Sequence, residues 1–180
     1  MRKHVLQQQK KKPVLWRAVL IFLILLNMAV IFGFSAEGKA ESAQKSHSVV
    51  DQVVNVTIPS FDSLPEGDQQ EILHIADHIV RKMAHMVEFG TLGLLVLLLS
   101  FTWEDRFVFL KYATALAFVF FYAATDELHQ IVSSARGGLF SDTLIDLCGA
   151  LLTCTAALPF LLHKQKKRER ALRSRKDRHL

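Results

Sequence analysis

Ala123-Ala-Thr-Asp126-Glu127-Leu-His129-Gln130 closes an apolar run that begins at Phe107, and the reading of this junction decides the fold. Two acids, a histidine and a carboxamide stand at the end of a segment suited to hydrocarbon. Ionisable groups in such a place are costly, so they are treated as functional until a partner explains them. The rest of the chain reads as a scaffold that brings further polar groups to the same depth.

Of the 180 residues 51% are hydrophobic, and they fall in blocks rather than amphipathic stripes, which is the pattern of a membrane protein. Four blocks are long enough to span, since a crossing needs ~20 apolar residues. They cover about 14–34, 84–103, 107–125 and 143–162. The first could be a cleaved signal peptide ending near Ser35-Ala36 or Gly38-Lys39-Ala40. It is longer than an apolar signal core of ~7–15 residues, which favours a retained anchor. Glu104-Asp105-Arg106 leaves room only for a tight hairpin between the second and third spans, and the fourth is expected to end at Pro159. Cys148 and Cys154 lie six apart within one apolar run and imply no disulfide framework.

Charge orients the spans. Six Lys or Arg occur up to Arg17 and nine from Lys164 onward, so both ends read as cytoplasmic by the positive-inside rule. The expected fold is therefore all-α, an integral membrane bundle of four transmembrane helices with cytoplasmic N and C termini. Residues 1–13 form a basic cytoplasmic segment, 14–162 the membrane domain, and 163–180 a basic cytoplasmic tail. That tail reads as a topology signal lying against anionic lipid, at ~1 kcal/mol per basic residue, and not as a nucleic-acid site. Trp16 and Trp103 fall at the expected inner boundary, and Lys111 is expected to snorkel there.

Residues 35–83 form the external segment. Its part up to His78 carries eight acids against Lys39 and Lys45. Val49, Val50, Val53, Val54 and Val56 suggest an amphipathic piece on the membrane surface. Ser63-Leu-Pro-Glu66 reads as a helix start, with Ser63 as cap and Glu66 reaching back. The helix then runs without a breaker into the second span.

Depth follows from helical rise. Counted outward from Trp103, His85 and Glu88 are 18 and 15 residues away, ~27 and ~22 Å. Asp126 lies 19 residues from Phe107, ~28 Å; Asp146 and Asp142 lie 16 and 20 from Leu162, ~24 and ~30 Å. Polar groups of three spans thus meet in one layer near the outer face. Within each helix the spacing is facial: Arg81, His85 and Glu88 with Lys82 alongside; Asp126, His129 and Gln130 beside Glu127; Asp142 and Asp146. Arg136 lies in the loop between the last two spans, next to Gly137-Gly138.

Several motifs together carry a resemblance. Ile31-Phe-Gly-Phe-Ser35, Arg81-Lys82-Met-Ala-His85-Met-Val-Glu88-Phe-Gly-Thr-Leu-Gly93, Thr125-Asp126-Glu127-Leu-His129-Gln130, and Arg136 followed by Asp142-Thr-Leu-Ile-Asp146-Leu-Cys-Gly149 occur in this order. The chain resembles the VanZ-like family of membrane proteins over roughly 14–162. Val132 stands where that pattern has an aromatic, and Asp146 where part of the family has Asn. The resemblance implies a multi-pass protein of the cell membrane and envelope, since the family's namesake is associated with low-level resistance to the glycopeptide teicoplanin. It implies no defined reaction and no cofactor.

The polar layer admits three chemistries. His85, Glu88, Asp126 and His129 include the donor types of a divalent-metal or acid–base site. Arg81, Lys82 and Arg136 could instead neutralise Glu88, Asp126, Asp142 and Asp146 in a structural ion network, where loss of one partner strands a charge. A pocket for the polar part of a ligand is the third. The functional expectations are accordingly an envelope factor that lowers susceptibility to teicoplanin-type glycopeptides, an integral-membrane enzyme acting on a lipid or phosphate ester, or an assembly protein. Expected partners are membrane lipids and an envelope precursor or amphiphilic glycopeptide, with no nucleic acid. The lipid-phosphatase pattern is absent, as no Ser-Gly-His occurs.

Overall fold

The computed structural model describes the backbone of residues 2–36, 39–103, 107–134 and 140–177, and the side chains of 14–35, 48–103, 107–131, 142–171 and 174. The elements are α1 (Arg2–Ala36), α2 (Lys39–Thr57), a short 3-10 turn (Phe61–Ser63), α3 (Glu66–Ser100), α4 (Val108–Ser134) and α5 (Phe140–Asp177). Four stretches are long and apolar enough to cross a membrane: Val14–Ser35, Glu66–Ser100, Val108–Ile131 and Asp142–Ala171. The all-α, four-span architecture read from the apolar blocks is the observed one. At 35 residues α3 is ~52 Å long, well beyond a hydrocarbon core of ~30 Å.

α3 is the centre of the bundle. It packs against α5 most extensively, and also against α4, α1 and α2. Its buried residues Phe89, Gly90, Leu92, Gly93, Val96 and Leu97 recur at helical spacing on the faces turned to these neighbours. α4 presents a regular stripe of Ala115, Val119 and Ala123, and α1 presents Leu20, Ile24 and Ile31. Large apolar side chains on the opposite faces, such as Phe22, Phe121 and Leu152, are exposed. In water such surface would mark an interface; on spanning helices it is the face for lipid.

The α3–α5 contact depends on small residues, as the glycines in the spans suggest. A Cβ on Gly149 would run into the backbone of Met86, and one on Gly90 would meet Thr153 Oγ1 at 2.6 Å. A Cβ on Gly93 would lie 3.0 Å from that of Ala150. The two backbones approach closely because neither carries a side chain at the crossing.

Three local expectations are corrected. α5 passes through Pro159 to Asp177 and does not stop there. Leu161, beyond the proline, is buried in the core, and this packing carries the helix past the missing N–H. Ser63 lies in the 3-10 turn and donates to Ser60 O at 2.7 Å, while α3 begins after Pro65 without a side-chain cap. Of the valines of α2, Val50 and Val54 pack onto α3 in a cluster with Phe61, Ile72, Leu73, Ala76 and Val80, while Val49, Val53 and Val56 are exposed. Lys111 is buried, its Nζ donating to Trp103 O at 2.8 Å and lying 4.9 Å from the Phe101 ring centroid. It serves a carbonyl left over beyond the end of α3, so it has no need to reach the surface. The hairpin residues Glu104–Arg106 lie outside the described residues.

The same end of the bundle ties α1 to α3. Arg17 Nε donates to Thr102 Oγ1 and its Nη2 to Thr102 O, both at 2.9 Å, with the guanidinium 4.7 Å from the Trp103 ring centroid. Planar donor geometry and stacking together suit arginine here. The first span is therefore built into the bundle, not attached at its edge.

Candidate functional site

At the opposite end of the spans from Arg17, polar side chains replace apolar ones on the inward faces. The stripe of α4 continues from Ala123 to Asp126, and that of α1 from Ile31 to Ser35. Ser35 Oγ donates to Asp126 Oδ2 at 2.6 Å; Gln130 Nε2 donates to the same oxygen at 2.9 Å and to Ser35 Oγ at 3.0 Å. Asp126 is 5% exposed and Ser35 1%, so these bonds are made away from water. The second carboxylate oxygen, Asp126 Oδ1, is buried and has no hydrogen-bond partner among the described residues. Alongside, the His129 ring lies against Phe32 of α1, centroids 4.5 Å apart. Tyr122, one turn inward, donates to Met28 O at 2.6 Å.

The α3–α5 half of the layer is charged. Lys82 pairs with Asp142 across the two helices. One turn inward, His85 Nδ1 stands 4.0 Å from both Glu88 Oε2 and Asp146 Oδ1. That is too far for a hydrogen bond but close for an ion pair if the ring is protonated. The His85 ring stacks towards Phe89, which in turn packs on Tyr122. Asp126 acts electrostatically on both Glu88 and Asp146, and Glu127 on Asp146, so the two halves share one field. The layer expected from helical rise thus joins α1, α3, α4 and α5.

Not every expected residue joins it. Arg81 turns outward along its own helix to Asp77 at 2.6 Å, and so does not neutralise the carboxylates of α4 and α5. An i, i+4 acid one turn away is a nearer partner than any group across the bundle. Arg136 lies outside the described residues. Among the described residues no three His, Cys, Asp or Glu side chains close into a set that could hold a metal ion. His85, Glu88, Asp126 and His129 are distributed between the two halves, with His129 turned against Phe32.

Ser35 is not among the site residues expected from the sequence, where it ends the motif Ile31–Ser35 and the first apolar run without an ionisable group to mark it. A usable signal was present: Leu20, Ile24, Ile31 and Ser35 lie on one helical face, so the residue that ends the buried stripe is a hydroxyl. Tyr122 was missed for a simpler reason. It sits inside an apolar run, one turn before the polar junction at Asp126.

The layer can accept hydrogen bonds and carry compensated charge at the end of a helical bundle. It has carboxylates on three helices, one of them with a buried oxygen unused, and a histidine between two of the others. No curated protein matches the chain, and no solved structure does. The profile of the VanZ/LLP1 family matches residues 20–162, which reaches into all four spans and takes in every residue of the layer named above. The chain is a membrane protein of the VanZ/LLP1 family.

Proposed function

We propose that the chain is an envelope factor of the cell membrane whose polar layer, facing outward, binds the donor-rich polar part of an amphiphile. By doing so it lowers the access of teicoplanin-type glycopeptides. The observation that carries the reading is the buried, unused Asp126 Oδ1 beside Ser35 and Gln130. A carboxylate oxygen kept from water without a donor is costly, and a ligand hydroxyl, amide or ammonium would relieve that cost. Glu88 and Asp146 bias the layer towards donors over anions. Family membership supports the envelope role.

The test compares cells carrying the wild-type chain with cells carrying an empty vector, against teicoplanin and against vancomycin. The reading expects reduced potency of teicoplanin, with vancomycin affected less because it lacks the fatty-acyl chain. Equal potency of both drugs with and without the protein, at verified membrane abundance, would dismiss it.

A second reading has its own support. The ties Ser35–Asp126–Gln130 and Lys82–Asp142 each join two helices, as an assembly protein with a purely structural polar layer would require. It expects substitutions in the layer to act only through protein stability.

A further inference from the structure

A second feature lies beyond the polar layer, between α2 and the outer half of α3. A groove of about 300 Å³ opens there, walled by Val53, Val54 and Ile58 on one side and Ile72, Ile79 and Val80 on the other. Thr57 is the one polar residue in its lining, and no charged side chain contributes. With the second span starting near Ala84, Ile79 and Ile72 stand about 8 and 18 Å beyond it along the helix. Apolar surface at that height faces headgroups and water, where leaving it bare is unfavourable.

We infer that this groove takes one hydrocarbon chain of a membrane phospholipid, drawn up from the bilayer along α3. Continuity of surface argues for it. Ile75, Ile79, Met83 and Val87 recur every fourth residue on α3 and are each more than half exposed. They form one apolar track from the groove wall down to the lipid-facing surface of the span. A flexible acyl chain suits a space at the lower limit of small-ligand sites, ~300–1,000 Å³. The inference goes beyond the proposed function, because a tail can occupy the groove whatever the polar layer binds.

The test uses the full chain in nanodiscs of phosphatidylglycerol, a fraction of it carrying a diazirine at the end of one acyl chain. After irradiation, adducts are located by peptide mass spectrometry. The inference expects adducts on peptides covering 53–58 and 72–80, in addition to those on the spans. Ala76→Phe, which fills the groove, and Val53→Trp, which blocks its exposed rim, each lower groove labelling about tenfold by displacing some two methylenes' worth of chain. Labelling of the span surface around Phe121 and Leu152 stays unchanged, which shows that each variant is folded and inserted. Adducts confined to the spans in the wild type would overturn the inference. So would groove labelling that survives both substitutions, or crosslinks to a second copy in place of lipid.

Discussion

Gly149→Ala is the sharpest perturbation of the bundle. The added methyl group would run into the carbonyl oxygen of Met86 and lie 2.8 Å from its C and Cα, against an ordinary contact of 3.4 Å or more. The obstacle is backbone, so no rotamer change relieves it. α3 and α5 must part by more than half an ångström, and the Gly90, Gly93 and Ala150 contacts loosen with them. Overpacking of this kind costs about 1–3 kcal/mol. For a chain of this length each kcal/mol moves the melting temperature by about 2–4 °C, so a fall of about 2–12 °C is expected. Cys154 is a built-in reporter, being fully buried on α5 beside Gly93. In a Cys148→Ser background, reaction of Cys154 with a thiol-reactive dye on heating in detergent follows the opening of this interface. Gly33→Ala and Gly67→Ala are the controls. A Cβ at either site meets nothing within 4 Å, so helix propensity alone should stabilise them by up to about 1 kcal/mol. If Gly149→Ala melted with these controls, the close α3–α5 crossing would be wrong, and with it the placement of Lys82 against Asp142.

Three further outcomes follow from the contacts. Ser35→Ala removes a donor from a buried carboxylate and should lower stability by about 1 kcal/mol, between typical intramembrane and charged hydrogen bonds, as read by the same dye assay. Lys82→Met and Asp142→Leu should each destabilise more than expected from the double variant, with a coupling of about 1 kcal/mol for a partly exposed pair. An additive cycle would show the pair contributes nothing. Arg17→Lys keeps the charge but loses the planar fork on Thr102 and the stacking on Trp103, so in a Trp16→Phe background it should change Trp103 emission. Emission identical to wild type would remove that contact.

The parts of the molecule legible in the sequence are those set by one-dimensional rules. Span length and helical rise located four helices, and counting 1.5 Å per residue from Trp103, Phe107 and Leu162 brought His85, Asp126 and Asp146 to one depth. Facial spacing placed Arg81 and Glu88 with His85, Lys82 alongside, and Asp126 with Gln130. What spacing does not contain is which neighbouring helix a face meets. Arg81 has a carboxylate one turn away and takes it, so proximity along the helix outweighed the expected ion network. Lys111 is buried at the end of the same stripe that ends in Asp126, because a loose carbonyl near the end of α3 lies within its reach. The valines of α2 fitted a membrane surface as well as a protein groove, since both present the same apolar chemistry. Pro159 reads as a stop by local rules, and tertiary packing at Leu161 overrides it.

The central claim is that the polar layer does more than hold the helices together, and Asp126→Asn tests it most directly. The substitution keeps the shape and an acceptor for Ser35 while removing the carboxylate. The measurement is teicoplanin potency against cells expressing the variant or the wild type at equal membrane abundance, with equal melting temperature verified on purified protein. Loss of protection with abundance and stability intact is the predicted result. Full protection by the variant would contradict the claim and leave the layer a structural one.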